Sequence, residues 1–384
     1  VLVMNENYWH SDIISIKKLV WKYNKEASAN GPELYLRGET DKVTLGTDII
    51  EEWKADPNLW DQVHPAQLTN MSYWMGFNFN PQFEEQYNPS VWKIAANNLN
   101  FRKAMFYGYD RYAATMTLDA YTYKEKCINT YSRPGLVQVN DVDYLMMSGL
   151  DEYSTQENLF NADKAVEYKA KAMEELTAKG VTFPVVVDYY IQGSSQTALD
   201  TANVLKQMFS DCLGDDFVTL NIKTYISSVN KEVRNPQLAS FYINGWGADY
   251  ADPQNYLGQE TYGMDNAYYS VSYSKANNIT DENLIAVYEE FTNMVNAANA
   301  IVDDMDARYE AYAEAEKYML EHALVIPWYK NVLWQVTHVN DYSKIYAPYG
   351  IQGEKFKNWE TSVDPYTTED YAKLAEAYAA GAGK

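Results

Sequence analysis

Through the middle of the chain, segments with the apolar spacing of a helix alternate with segments that have the composition of a strand. Some segments carry apolar residues at helical spacing behind a polar cap residue, whereas the segments between them are β-branched and aromatic, as buried strands are. Strands that alternate with helices are typical of a mostly parallel sheet with helices on its faces. The predicted order is helix 164–178 capped by Asn161, strand 183–191, a helix ending at Leu213 and capped by Ser194 or Ser195, strand 217–225 and a strand beginning at Phe241.

The same two periods predict further elements on both sides of this alternating region. A helix ends at Gly38, since glycine suits the left-handed position after a helix, and the chain returns to a strand at Val43. The remaining predictions are strands at 13–21, 73–78, 324–329 and 332–339, and helices at 100–111, 281–296 and 303–322.

Composition limits the classes of protein to which the chain can belong. Its 384 residues are 47% hydrophobic and 15% aromatic, which is enough for a sizeable core and two lobes. We find no apolar run long enough to span a membrane. The 31 Lys and Arg residues face 53 Asp and Glu residues, a formal charge of −22, which argues against nucleic acid as a partner. Such a charge favours solubility and weakly attracts cationic peptides.

Residue types that hold metals or perform covalent catalysis do not occur in recognised patterns. Cys127 and Cys212 lie far apart in sequence, so one disulfide and two free thiols both remain open. The histidines are scattered without a His-Glu-x-x-His motif, and we expect no metal site and no cofactor. The acid pairs at 141–143 and 304–306 lack the glycine and glutamate of a calcium loop. Neither a Gly-x-Ser-x-Gly elbow nor a phosphate-binding loop is present, so we predict no catalytic residue.

The strongest candidate for a binding site follows the strand that begins at Phe241. That strand is expected to end in Gly245-Trp-Gly247, where glycine lets the backbone turn, and Pro253 prevents its continuation. Trp246 and Asp249 are therefore predicted at the rim where this strand ends, with the flat apolar indole ring beside a negative charge. This combination suits a ligand with a cationic head and a flat or flexible body.

Five segments resemble bacterial oligopeptide-binding proteins, the family 5 extracellular solute-binding proteins of ABC peptide importers. Gly245–Pro253 is similar to the family's Gly-Trp-x-Ala-Asp-Tyr-x-x-Pro signature. The other four, found in the family's order, are Asn5-Glu-Asn-Tyr-Trp9 (with Glu6 where proline is usual), Leu34–Asp41, Tyr73–Asn78 and Phe101-Arg-Lys-Ala with Asp110-Arg111. Arg102, Asp110 and Arg111 are expected to form structural ion pairs.

The resemblance implies an α/β fold of the type II periplasmic-binding-protein kind, with two lobes of mixed sheets flanked by helices. Residues 1–108 and 324–384 would form lobe I, and residues 109–323 the second ligand-binding lobe. Family members usually begin with a longer N-terminal part. We therefore expect this chain to lack that part and one wall of the ligand cleft with it.

The resemblance also implies a function, a receptor without enzymatic activity that captures oligopeptides outside the cell and delivers them to an ABC permease. Asp249 would pair with the α-amino group of the peptide, and Trp246, Gly247 and Tyr250 would line the site. The protein would be extracytoplasmic, either a cell-surface lipoprotein or periplasmic. Its contact with the membrane would be only through a lipid anchor on the absent N-terminal part.

Other interpretations of the same residues remain open. Asp249 is a common residue type in turns and Trp246 is a common core residue. Asp252, a weaker candidate, suits a cap for the segment after it, and Tyr256 is also a weaker candidate. A related receptor for an oligosaccharide or a nickel chelate is the first alternative function. A glycosidase, which needs two carboxylates at a suitable separation, is the second.

Overall fold

The computed structural model describes residues 1–67, 71–330, 333–345, 349–350 and 355–381. The β-strands are β1 Leu2–Val3, β2 Lys18–Leu19, β3 Lys42–Leu45, β4 His64–Pro65, β5 Met71–Phe77, β6 Gln138–Val139, β7 Val142–Asp143, β8 Val185–Gln192, β9 Val218–Tyr225, β10 Phe241–Gly247, β11 Val325–Lys330 and β12 Trp334–Thr337. The α-helices are α1 Ala27–Leu36, α2 Thr47–Trp53, α3 Pro57–Trp60, α4 Pro89–Asn97, α5 Leu99–Gly108, α6 Arg111–Met116, α7 Tyr123–Lys126, α8 Gln156–Leu159, α9 Ala162–Ala178, α10 Gln196–Leu213, α11 Gln254–Leu257, α12 Glu282–Ala300, α13 Met305–Glu321, α14 Asp341–Lys344 and α15 Thr368–Gly381.

Side-chain caps begin four of the longer helices. The cap oxygens accept hydrogen bonds from backbone N–H groups of the first turn, which have no partner within the helix. The cap residues of α9, α10, α12 and α13 are Asn161, Ser195, Asp281 and Asp304. These four helix predictions are confirmed, and Ser195 rather than Ser194 is the cap of α10.

The sheets combine parallel and antiparallel pairs. In the central sheet β5 lies between β10 and β11 and runs antiparallel to both. The parallel pair β8–β9 adjoins it where the Ser240 amide donates to the Asp188 carbonyl at 2.8 Å. The prediction of a mostly parallel sheet was wrong, because β10 pairs with a strand from far earlier in the chain. The fold class of mixed sheets flanked by helices is confirmed.

Buried apolar residues form two clusters among the described residues. The larger one extends from Trp74 to Trp328 and surrounds the central sheet. The smaller one combines residues from Tyr35 to Val63 with Trp334 and Val336. The chain therefore passes between the clusters twice, before Trp74 and after Trp328.

The lobe boundaries expected at residues 108 and 324 stay a prediction. That prediction assigns β5 to lobe I and β10 to the second lobe. The two strands pair in one sheet, from Phe241 opposite Phe77 to Gly247 opposite Met71. This sheet therefore contains residues that the prediction assigns to both lobes.

The helix predicted at 100–111 ends at Gly108 as α5, and Arg111 begins α6. Arg102 and Arg111 have a different role from the ion pairs expected for them. Arg102 is buried and donates to the carbonyls of Ala96, Asn97, His322 and Ala323 at 2.9–3.2 Å. Arg111 is buried and donates to four carbonyls as well, including those of Leu159 and Pro327. The carbonyls at helix C-termini carry partial negative charge and lack partners within the helix, so each guanidinium joins several chain segments.

The first segment of the chain has less strand than expected. The predicted strand at 13–21 is only β2, which pairs with β1 over two residues. β1 consists of only two residues and ends at Val3. The residues that flank β2 therefore have no described strand to pair with. The strand predicted at 332–339 is β12, and residue 332 lies outside the described residues.

Two further findings concern the thiols and the membrane. Cys127 and Cys212 are both free, so the open alternative between a disulfide and free thiols is resolved. In the part of the chain that the structure describes, no helix combines the length and the apolar character needed to cross a bilayer.

Candidate ligand-binding site

Three strand ends meet at one edge of the central sheet. Trp246 and Gly247 of β10 lie opposite Ser72 and Met71 of β5, and on the other side of β5 Lys330 lies opposite Ser72. Directly opposed residues of antiparallel strands have their side chains on the same face. Trp246, Ser72 and Lys330 therefore form one row across the sheet, which we call the edge row.

Gly245 precedes the edge row and allows an aromatic ring to lie against the strand. A Cβ atom at Gly245 would come within 2.6 Å of the ring of Tyr73, its cross-strand partner. That ring stacks on Tyr329, with centroids 4.5 Å apart and planes inclined by 11°. The strand was expected to end at the glycines, but β10 continues through Gly247. Gly245 does not turn the backbone; its missing side chain makes room for the Tyr73 ring within the sheet.

Trp246 is partly buried and held at both its backbone and its ring. Its indole N–H donates to the side-chain oxygen of Asn255 at 2.8 Å. Its carbonyl accepts from the hydroxyl of Tyr256 at 3.1 Å, and the edge of the ring meets Tyr269 at a centroid distance of 6.0 Å. Since the polar edge of the indole is already bonded, the accessible part of the ring is apolar.

Asp249 lies directly beyond the strand end and is exposed. Its backbone N–H donates to the same Asn255 oxygen at 2.8 Å that accepts the Trp246 indole. Its carboxylate forms no hydrogen bond or ion pair with another described residue. Tyr250 is 48% exposed, and its hydroxyl donates to the side chain of Gln254. The structure thus brings the four predicted site residues together, with Trp246 and Gly247 partly buried at the end of β10 and Asp249 and Tyr250 exposed in the bend that follows. Their role in binding stays a prediction.

The two weaker candidates lie beneath this turn and support it. Asp252 accepts from the Gln254 N–H at 2.9 Å and forms a bidentate pair with Arg308 at 2.9 and 3.1 Å. Arg308 also donates to carbonyls at the C-terminal end of α12. Tyr256 is completely buried. The expectation that Asp252 caps the following segment is confirmed.

A buried acid lies behind the edge row and was missed by sequence reasoning. Glu260 accepts from the indole N–H of Trp74 at 3.0 Å and from the hydroxyl of Tyr131 at 3.5 Å. Burial raises the pKa of this carboxyl group to about 8. The Tyr131 carbonyl in turn accepts from Ser72 at 2.8 Å, which links the acid to the edge row. No motif marks Glu260; the only hint is its position shortly after the apolar pair Tyr256-Leu257.

A separate cavity with a mixed polar and apolar lining lies between the two hydrophobic clusters. Its volume is about 580 Å³, and it is bounded by β3, by Trp334 and by the residues around the start of α10, including Ser194 and Thr197. None of its lining residues belongs to the turn at 246–250. Within the described ranges no three His, Cys, Asp or Glu side chains are placed to hold a metal ion.

Comparison with known proteins relates the chain to binding proteins. Residues 1–267 match the model of the bacterial extracellular solute-binding proteins, family 5, middle part. Oligopeptide-binding protein AliA of Streptococcus pneumoniae is 24% identical over 412 aligned residues, which cover 97% of this chain and 62% of that protein. Oligopeptide-binding protein SarA of Streptococcus gordonii is also 24% identical, with 97% and 61% covered. The chain thus spans about three-fifths of the length of these curated relatives.

Solved structures share the fold. The substrate-binding domain of an oligopeptide ABC transporter from Bacillus anthracis superposes with a TM-score of 0.69 at 16% identity, covering 94% of this chain and 62% of that one. OppA of Listeria monocytogenes, solved with bound peptide, gives a TM-score of 0.65 at 19% identity, with 94% and 61% covered. The neighbours are peptide-binding proteins of the type II fold, and the family and its relatives are binding proteins rather than enzymes. The chain is a member of the bacterial extracellular solute-binding proteins of family 5.

Proposed function

We propose that the protein is a receptor that captures peptides outside the cell and delivers them to an ABC permease. The observation that carries the proposal is the shared acceptor of Trp246 and Asp249, both of which donate to Asn255 at 2.8 Å. This arrangement holds an apolar surface beside the backbone of an exposed acid. A peptide N-terminus, with its ammonium group and adjoining apolar atoms, matches both.

Each site residue has a stated role in this proposal. Asp249 receives the α-ammonium group, Trp246 packs against the first residues of the peptide, Gly247 lets the peptide backbone approach, and Tyr250 borders the turn. A charged hydrogen bond of this kind contributes about 1.5–3 kcal/mol. Backbone hydrogen bonds to the peptide would supply most of the remaining affinity, and they tolerate many side chains.

The proposal includes the absence of enzymatic activity and an extracytoplasmic location with a lipid anchor as the membrane attachment. The family membership supports both. The similarity to proteins named for oligopeptide binding supports a peptide ligand over an oligosaccharide or a nickel chelate. For a sugar, Trp246 alone would serve as a stacking surface, and the exposed carboxylate of Asp249 would have no cation to receive.

Native mass spectrometry of the purified protein tests the proposal. We expect bound species whose masses and fragmentation identify peptides with free N-termini. They should leave on mild denaturation. Recovery of oligosaccharides or metal chelates in place of peptides would contradict it.

A further inference from the structure

A second cavity lies among α6, the start of α9 and the C-terminal half of α10, and its volume is about 380 Å³. Volumes of this size are typical of small-molecule sites. The apolar part of its lining consists of Ala113, Phe160, Ala162, Val204, Met208 and Cys212. None of its lining residues belongs to the edge row, to the turn at 246–250 or to the cavity beside Trp334. The cavity is therefore separate from the proposed peptide site.

The sequence of α10 places an apolar stripe along one wall of this cavity. Val204, Met208 and Cys212 follow one another at intervals of four residues, which brings their side chains onto one face of the helix. Met208 is buried, whereas Val204 and Cys212 are partly exposed, so the stripe reaches from the interior to solvent. The walls from α6 and α9 include Ala113 and Ala162, whose small side chains leave space. A ligand that covers this apolar surface removes it from water, which is favourable.

Two carboxylates, Asp110 and Asp211, also line the cavity. Asp110 caps α6 and accepts the backbone N–H of Ala113 at 3.1 Å. Asp211 accepts the side-chain amide of Gln207 at 2.7 Å. Neither acid forms an ion pair with another described residue. Their partners are neutral donors, so both carboxylates are available to a cation from outside.

The cations on the neighbouring elements are engaged with other groups. Arg111, which follows the first acid directly, is buried and donates to four carbonyls. The ammonium group of Lys169 on α9 pairs with Asp216 at 2.7 Å. The ammonium group of Lys164, also on α9, lies 4.9 Å from the centroid of the Tyr107 ring. None of these cations contacts the two carboxylates of the cavity, which therefore favour a positively charged ligand group.

We propose that this cavity binds a small organic amine. Its apolar body would pack against Phe160, Val204 and Met208, and its ammonium group would lie at Asp110 and Asp211. A neutral apolar molecule would leave the two acids unused, and an anion would be repelled by them. The amine is a second ligand at a site of its own, so the inference goes beyond the proposed function and its failure leaves that function intact.

Nuclear magnetic resonance of isotope-labelled methionine methyl groups tests the proposal on the full chain. The test compounds are phenethylamine, which carries a positive charge at neutral pH, and phenethyl alcohol, its neutral counterpart of the same size. Met208 lines the cavity and reports on it. Met71 lies opposite Gly247 in the central sheet and reports on the turn at 246–250. Met208→Leu and Met71→Leu assign the two signals.

The variants remove charge and keep the local hydrogen bonds. Asn at position 110 still caps α6, and Asn at position 211 still accepts from Gln207, so Asp110→Asn combined with Asp211→Asn changes little except charge. The matched control is Asp200→Asn. Asp200 accepts the side-chain amide of Gln196 at 2.8 Å on the same helix and does not line the cavity.

In the wild-type protein at low ionic strength, the Met208 signal should give phenethylamine a dissociation constant about fivefold lower than that of phenethyl alcohol, as a partly exposed ion pair predicts. The difference should fall below about twofold in the combined variant and persist in Asp200→Asn. Equal binding of the two compounds would indicate a neutral apolar site and overturn the proposal. A preference that survives the combined variant would overturn it as well. So would the absence of any Met208 shift, including a shift confined to Met71, which would assign the amine to the turn of Asp249.

Discussion

The indole N–H of Trp246 donates to the side-chain oxygen of Asn255, and the two atoms lie 2.8 Å apart. The same oxygen accepts the backbone N–H of Asp249 at 2.8 Å, and Asn255 is only 5% exposed. A single buried amide therefore sets the position of the Trp246 ring relative to the backbone of Asp249. The site depends on a residue that is not expected to touch the ligand.

Replacement of Asn255 by alanine should reduce both stability and peptide affinity. Two N–H donors lose their acceptor, which costs about 1–3 kcal/mol of unfolding free energy. Affinity should fall about tenfold, since Trp246 and Asp249 are no longer held in register. Chemical denaturation and calorimetry measure the two effects. Asn255→Asp keeps an acceptor oxygen and should recover most of the stability; equal losses in both variants would show that the acceptor is not what matters.

Substitution of Gly245 by alanine should disturb the packing of the central sheet. The added Cβ atom would lie 2.6 Å from the Tyr73 ring and displace it from its stack on Tyr329. Overpacking of this kind costs about 1–3 kcal/mol, which thermal unfolding detects. Gly193→Ala is the control, because its nearest contact would be an ordinary 3.5 Å to Thr224. A stable Gly245→Ala variant would show that the ring moves freely.

Removal of the Arg102 guanidinium should destabilise the larger cluster strongly. Arg102→Met leaves the carbonyls of Ala96, Asn97, His322 and Ala323, which are buried or partly buried, without this donor, and we expect a loss of about 3 kcal/mol or more. The control is Arg37→Met, whose exposed pairs with Glu33 and Glu39 contribute about 0–1 kcal/mol. Urea denaturation gives the unfolding midpoints of the Arg102→Met and Arg37→Met variants. Similar midpoints would contradict the role of Arg102 as a donor to these carbonyls.

The buried acid Glu260 should make stability depend on pH. Burial raises its pKa from the usual 4.5 to about 8, so the folded state keeps the proton over a range in which the unfolded state loses it. The contribution of this group to the free energy of unfolding is fully present below pH 4.5 and is lost as the pH rises towards 8. The slope is about 1.4 kcal/mol per pH unit.

Glu260→Gln removes this titration and keeps the shape of the side chain. Its stability relative to the wild-type protein should rise with pH between about 5 and 8, as denaturation at several pH values would show. Glu289→Gln, an exposed substitution on α12, is the control for loss of one carboxyl group. A constant difference between Glu260→Gln and the wild-type protein across that range would disprove titration of Glu260 in the fold.

Local signals in the sequence were sufficient for most elements and for the position of the turn at 246–250. Cap residues act within one helical turn, so the starts of α9, α10, α12 and α13 followed from the sequence. Strand pairing is not local. The pairing of β10 with β5 joins residues far apart in the chain, which is why the sheet was expected to be mostly parallel.

The supporting residues of the site were also beyond sequence reasoning. Asn255 and Glu260 belong to no motif, and their importance arises from burial beside Trp246 and Trp74. Arg102 was expected to pair with an acid, because opposite charges in a sequence suggest ion pairs. Its actual partners are carbonyls, whose need for donors becomes visible only when helix ends converge.

The central claim is that Asp249 receives the α-ammonium group of a peptide, and a double cycle of Asp249→Asn against N-acetylation of the peptide tests it most directly. Asp249→Asn should weaken a free-amine peptide by about 3–5 kcal/mol if the ammonium group is fully buried, and by about 1 kcal/mol if water reaches it. The same substitution should change the affinity for the N-acetylated peptide little, so the two changes are coupled. Losses that simply add, without coupling, would contradict the account and leave Asp249 as a turn residue.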